Sequence, residues 1–361
     1  PNMTMPALVG VSHAGQLAPR QVRPRLWLDS ETETRLASSV KMSDSAWRSL
    51  KDFCDASGTK PDWDYQGNQR YRYVANFSLC YRLAKRAELG QSTINRYGAK
   101  ALDVLTDLIE FGNYGNDSGY GIRNYLPAIA IGYDWLHDFP GFTESLKVKA
   151  RSRMRGWADW YAQSGYARAN DDKPIPVYLS NYNAGYLVGR MLASIAMYGD
   201  EPGAERYFDE AVLHQTRALA AFDQYLAGGH WPEGWSYGAS AYEFHALSAS
   251  ALRHASGSDG VARSNWLREN ISFKLHALTP DGRFFYDDGP WPGNHIGNPS
   301  LADIYVAGSL AGWNSTVGQH AAAYVRLARD WSQGGATADQ GAVVGEWRRL
   351  LFFDASAPAA D

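Results

Sequence analysis

Gly228-Gly229-His230-Trp231-Pro232-Glu233-Gly234-Trp235-Ser236-Tyr237-Gly238-Ala239-Ser240-Ala241-Tyr242 is a loop that hands over to a helix, and the same handover recurs along the chain. Glycine and proline at this density exclude a helix interior, so 228–236 reads as loop, with a helical pattern resuming from about Ser236. The stretch also gathers two Trp, two Tyr, a His and a Glu. Flat rings beside proton-transfer groups are what a carbohydrate subsite needs. The competing reading is an aromatic plug that closes the end of a helical bundle.

Outward from this stretch, hardly any segment alternates as a strand does. Helical periodicity broken by Gly, Pro, Asn and Asp predicts helices near 30–39, 43–56, 72–89, 92–111, 121–138, 143–164, 181–198, 203–227, 237–255, 259–277, 300–312 and 317–332. Asp29/Ser30, Ser92 and Thr143 stand where N-caps belong. The fold class is therefore all-α. Small-residue helices ending in Gly- or Asp-bearing turns recur at Leu79–Gly90, Ala128–Gly141, Met191–Gly203, Ala246–Gly260 and Ala307–Gly318. That is the rhythm of helical hairpins, none able to bury its apolar face alone. It predicts an (α/α) toroid, an incomplete barrel of about six hairpins, with an open solenoid as the alternative. Irregular insertions at 57–71, 112–120, 165–180, 228–236 and 279–299 favour the toroid, because loops gathered over one end form a cleft. The expected organisation is an extended segment 1–25, one toroid domain 26–353 and a tail 354–361.

Composition narrows the partners. The 361 residues carry 35 basic and 38 acidic side chains, a net charge of −3, with no basic block, so nucleic acid is a poor partner. No apolar run is long enough to span a membrane. Thirteen Trp and 22 Tyr are a weak carbohydrate-handling signal that core filling explains equally well. Cys54 and Cys80 either pair or lie buried as thiols, and no metal-ligand spacing is present, so neither metal nor cofactor is expected. The start at Pro1 and the loose first 25 residues read as a trimmed start; a secreted or periplasmic location is an expectation from function.

Three further stretches carry candidate chemistry. Ser180-Asn181-Tyr182-Asn183-Ala184-Gly185-Tyr186 opens a helix, where Asn181 is either a cap or a ligand; Asn183 lies too far in for capping and could donate to a carboxylate. Tyr120-Gly121-Ile122-Arg123-Asn124-Tyr125 puts Arg123 beside rings, facing either solvent or cleft. Residues 281–295 end in an aromatic loop with Trp291 and His295, and the adjacent Asp287-Asp288 there read as a solvated turn.

The opening stretch resembles the Asp/Gly-Gly-x-x-x-Glu-Gly-x-x-Tyr pattern of heparinase II/III-like and related alginate lyase toroids. Arg23-Pro24-Arg25-Leu26-Trp27-Leu28 is similar to their His-Pro-Arg-Leu segment, with Arg23 in place of His. Ala130-Ile131-Gly132-Tyr133-Asp134-Trp135-Leu136 is similar to their Ala-Tyr-Asp-Trp-Leu helix, and Ser180-Asn181-Tyr182-Asn183 to their Asn-bearing inner helix. Together they cover residues 23 to about 290 in the family's order. The resemblance implies β-elimination on a uronic-acid polysaccharide such as alginate or glucuronan. It assigns the catalytic Tyr to Tyr237 and the carboxylate-neutralising Asn to Asn183 or Asn181. The family often has a His directly after that Asn, where Tyr182 and Ala184 stand here, so His230 or His295 has to serve instead.

The chemistry suits these residue types. Proton abstraction beside a uronate carboxylate requires that carboxylate to be neutralised, by Asn amides, Arg123 or a His. A phenol titrates near about 10 unless a cation lies close, so Tyr237 needs Arg123 or His230. Trp231, Glu233, Trp235, Tyr242, Tyr125, Tyr182, Asn181, Trp291 and His295 complete the expected substrate-binding set. Two alternatives stand beside it: a glycoside hydrolase with Glu233 as acid and Asp172 or Asp287 as base, and a non-catalytic glycan-binding domain.

Overall fold

The computed structural model describes residues 17–110, 121–163, 178–280, 301–333 and 345–360. Among these the regular elements are helices and no strand forms: α1 Ser30–Met42, α2 Ser45–Ala56, α3 Asn68–Arg86, α4 Gln91–Glu110, α5 Ile122–Trp135, α6 Glu144–Gln163, α7 Asn181–Met197, α8 Ala204–Tyr225, α9 Gly234–Ser256, α10 Asn265–His276, α11 Ala302–Ala311, α12 Thr316–Gln333 and α13 Gly345–Phe352. The all-α expectation holds.

Caps fix many of the boundaries. The Asp29 carboxylate accepts from the Thr32 N–H at 2.7 Å and starts α1. Ser43, left-handed at φ 53°, ends it, and Asp44 caps α2 through the Trp47 N–H at 2.8 Å, so α2 begins two residues later than expected. α4 opens at Gln91, which puts Ser92 inside the first turn rather than at the cap. Thr143 accepts from the Leu146 N–H at 3.4 Å, a long cap bond. The stretch 259–277 divides into a 3₁₀ turn at Val261–Arg263 and α10, because Ser264 caps α10 while bonding to Asp223 at 2.7 Å. α3 and α9 each start a few residues early, at Asn68 and Gly234, and α13 is a helix the periodicity did not mark.

The helices form two layers. Every residue of α5 is buried, and in α7 all but Tyr182, which is the mark of an interior helix. α4 instead buries a single stripe of Tyr97, Ala101, Val104, Leu105 and Leu108, as a covering helix does. Interior helices touch in the order α3, α5, α7, α9, α11, α13, and α13 packs back against α3. The covering helices α4, α6, α8, α10 and α12 lie outside them, with α1 and α2 over α3. Each small-residue repeat seen in the sequence falls at a turn from an interior helix to the covering helix that follows it.

The interior helices run parallel, which decides where a site can be. Asn124 Nδ2 at the start of α5 donates to the Gln66 carbonyl before α3 at 3.0 Å, and Arg123 reaches Asn181 at the start of α7. At the opposite end Arg253, late in α9, donates to the Leu310 carbonyl, late in α11, at 2.8 Å. Helix N-termini are thus collected at one end of the molecule, where their dipoles favour an anion.

The other end carries a lock. Asp134, fully buried at the end of α5, accepts from Arg23 Nη1 at 2.7 Å and from the Arg25 and Leu26 N–H groups at 2.8 Å. Trp135 Nε1 donates to the Leu26 carbonyl at 3.0 Å. Two of the sequence motifs, Arg23–Leu28 and Ala130–Leu136, are therefore the two halves of one structural joint. Many rings are core filler: Trp27, Trp135, Trp157, Trp266 and Trp347 are sealed inside. Cys54 and Cys80 form a disulfide between α2 and α3. No described helix is long and apolar enough to cross a membrane.

Candidate functional site

Ser180 supplies the N-cap of α7, accepting from the Tyr182 N–H at 3.2 Å. That frees Asn181, in the first helical position, to bridge. Its Oδ1 accepts from Arg123 Nη1 at 2.9 Å, its Nδ2 donates to Glu233 Oε1 at 3.1 Å, and its backbone N–H donates to Glu233 Oε2 at 2.7 Å. Trp231 Nε1 donates to the same Oε2 at 2.9 Å. Four side chains singled out in the sequence, Arg123, Asn181, Glu233 and Trp231, are thereby joined across the N-terminal ends of α5, α7 and α9.

Close helix packing sets Arg123. A Cβ on Gly185 would stand 2.4 Å from Arg123 Cβ, and one on Gly189, a turn later, 3.1 Å from Leu126 Cβ. Only a residue without a side chain lets α5 and α7 approach this closely, and the approach brings Arg123 level with Asn181. Arg123 is 7% exposed, and its guanidinium carbon lies 6.0 Å from the Phe244 ring centroid on α9. Phe244 is two turns beyond Tyr237 on the same face of α9, so Arg123 and Tyr237 share a side of that helix.

The loop before α9 is held from beneath. Asn270 Nδ2 donates to the Gly229 carbonyl at 2.8 Å, and Gly229, at φ 84°, lies so close to the α10 backbone that a Cβ would meet Asn270 N at 2.5 Å. Trp266 Nε1 donates to the His230 carbonyl at 3.0 Å. The Trp231 ring packs against Phe222 and Trp266 at 5.4 and 5.7 Å.

The expected residues then sort by burial. Tyr237 is half-buried in the first turn of α9, packed against the core, and His230 is exposed. Tyr182 is half-buried, while Asn183 is fully buried one position further in. Three of the expected substrate-binding side chains are buried and engaged within the protein. Tyr242 is sealed, its hydroxyl donating to the Leu267 carbonyl, with burial raising its pKa; it is a core residue on the far side of α9 from Tyr237. Tyr125 stacks on Trp157 at 5.6 Å and covers Gly67, so its ring joins α3 to α5 rather than facing a ligand. Trp231 is likewise buried, and acts through its indole N–H on Glu233. The Trp235 side chain, Trp291, His295, Asp172 and Asp287 lie outside the described residues.

Two histidines were not marked in the sequence. His214 on α8 has its Nδ1 3.4 Å from the Tyr178 hydroxyl, just before α7; burial, then the Arg190 charge, pulls it down to about 4. His245 on α9 meets Gln215 Nε2 at 2.9 Å between the Phe222 and Trp266 rings, and burial pulls it down to about 3. Both sit inside helices among apolar neighbours, so nothing in the local sequence separates them from packing residues. Among the described residues no group of His, Cys, Asp or Glu is arranged to hold a metal. No family model matches this chain, nor does any curated protein sequence.

Proposed function

We propose that the chain is an (α/α) toroid polysaccharide lyase that cleaves a uronic-acid polysaccharide, alginate or glucuronan in kind, by β-elimination. The observation that carries this is the Arg123–Asn181–Glu233 chain across three parallel helix N-termini, with Tyr237 one turn beyond Glu233. The return of α13 onto α3 supports closure of the interior helices into a toroid. A uronate carboxylate is drawn to this end by the helix dipoles and by Arg123, with Asn181 and the deeper Asn183 as amide donors. Neutralising that carboxylate lets Tyr237 abstract the neighbouring C5 proton, with Arg123 or the exposed His230 supplying the cation that a phenolate base needs. The elimination breaks the C4–O4 bond, and the same phenol returns a proton to the leaving oxygen. The Cys54–Cys80 disulfide supports a secreted or periplasmic location.

The hydrolase alternative asks Glu233 to give up a proton. Its oxygens instead accept from three N–H groups, an arrangement that uses a carboxylate as acceptor. The deciding measurement is ultraviolet absorbance of the unsaturated product on a panel of polymannuronate, polyguluronate and polyglucuronate. Absorbance should rise with the wild-type protein, and Tyr237→Phe should lower the rate by at least about a thousandfold with the melting temperature unchanged. Full activity of that variant refutes the assignment. New reducing ends without absorbance indicate hydrolysis, and saturable binding without turnover indicates a glycan-binding domain.

A further inference from the structure

Trp63 and Tyr65 stand out at the same end of the molecule. They are 62% and 47% exposed, and with ring centroids 6.0 Å apart and planes within 9° they form a parallel stacked pair. Large rings are usually buried for their apolar area, as Trp27 and Trp347 are here. These two are held out on a rigid support. The Asp64 carboxylate between them accepts from the Gln69 and Arg70 N–H groups at 2.9 and 3.3 Å and from Arg70 Nη1 at 2.7 Å. The Tyr65 carbonyl accepts from the Asn68 N–H at 3.1 Å, and the Gln66 carbonyl accepts from Asn124 Nδ2. Gly67 behind them is pressed against the Tyr125 ring, where a Cβ would stand 2.3 Å away. The support is therefore continuous with Asn124, the neighbour of Arg123 in the candidate site.

We propose that Trp63 and Tyr65 form a stacking subsite for one pyranose ring of the polysaccharide, on the rim beside the start of α5. The proposal rests on the glycan reading above. The C–H face of a pyranose is flat and apolar, and parallel rings on a fixed loop take it without an ordering cost. Asp62, exposed next to Trp63, disfavours a second carboxylate there, so the sugar docks by that face. The subsite lies beyond the elimination site and matters only for chains long enough to reach it.

The test measures binding by calorimetry in the Tyr237→Phe background, so that turnover is not needed. Probes are mannuronate, glucuronate and neutral cello-oligosaccharides of two to eight units. Trp63→Ala should weaken binding of the hexamer about tenfold, and of the dimer less than twofold, whereas Trp63→Phe should keep most of the affinity. Because both rings are exposed, the melting temperature of Trp63→Ala should match that of its parent. Equal affinity of Trp63→Ala and parent for every oligomer overturns the subsite. So does the absence of binding by any probe, or a parent dimer that the substitution turns into a monomer. Indifference to Trp63 alongside an ultraviolet-absorbing product removes the subsite and spares the lyase. A Trp63-dependent affinity for neutral oligomers alone keeps the subsite and removes the lyase.

Discussion

Asn181 and Glu233 illustrate how far a single side chain can be read. An asparagine at a helix start has two readings, cap or ligand, and the presence of Ser180 one residue earlier decides between them: the serine caps, and the amide is released to bridge Arg123 and Glu233. Glu233 stands out by its glycine-flanked turn, but two of its three donors belong to Asn181, 52 positions away, which no local pattern carries. Tyr242 is hard to read for a related reason: a tyrosine in a helix looks alike whether its hydroxyl meets a sugar or a backbone carbonyl such as that of Leu267. Glu233→Gln turns one acceptor oxygen into an NH₂ group facing N–H donors. It should lower stability by about 1–3 kcal/mol in urea unfolding, with activity reduced but measurable. Complete loss of activity at unchanged stability would instead assign Glu233 to the chemistry and favour hydrolysis.

Helices were the most legible level. Interior and covering helices differ in composition: small and apolar all round in α5 and α7, a single stripe in α4. The turns between them carry Gly or Asp. What escaped were short or disguised elements. α13 spans eight residues, too few for a period to show, and the first turn of α9 was hidden by the glycines around Trp235. Gly185 and Gly189 read only as small residues, whereas their spacing is the reason α5 and α7 can touch. Gly185→Ala should cost about 1–3 kcal/mol, because the Arg123 Cβ it meets belongs to the helix backbone's immediate shell and cannot swing away. Gly189→Ala should cost less, since its nearest atom is 3.1 Å away. Thermal melting gives the order. If Arg123 is the group that holds the carboxylate, Gly185→Ala also loses activity beyond its loss of stability, and Gly189→Ala does not.

Across the whole molecule, parallel interior helices place their N-termini, and hence the candidate site, at one end, and the Asp134 lock at the other. The sequence motifs are split between the two ends, so their order along the chain marked an architecture more than a site. The buried histidines add a molecule-wide consequence. His214 and His245 are held neutral at about 4 and about 3, and burial likewise pulls the half-buried His137 down to about 4 and lowers His254, against about 6.5 in an unfolded chain. A pH unit or more above about 6.5 neither state binds these protons, so they leave stability flat there. As pH falls through this range the unfolded chain takes up protons at each of these histidines that the native protein refuses until lower pH, and stability falls as pH falls. The slope approaches about 1.4 kcal/mol per pH unit for each histidine between pH 6 and 4.5. Urea midpoints measured from about pH 8.5 to 4.5 should be level above about pH 7.5 and drop increasingly below it, with His245→Gln removing one proton's share of the slope. A level profile down to pH 5 would mean that these imidazoles accept protons inside the fold.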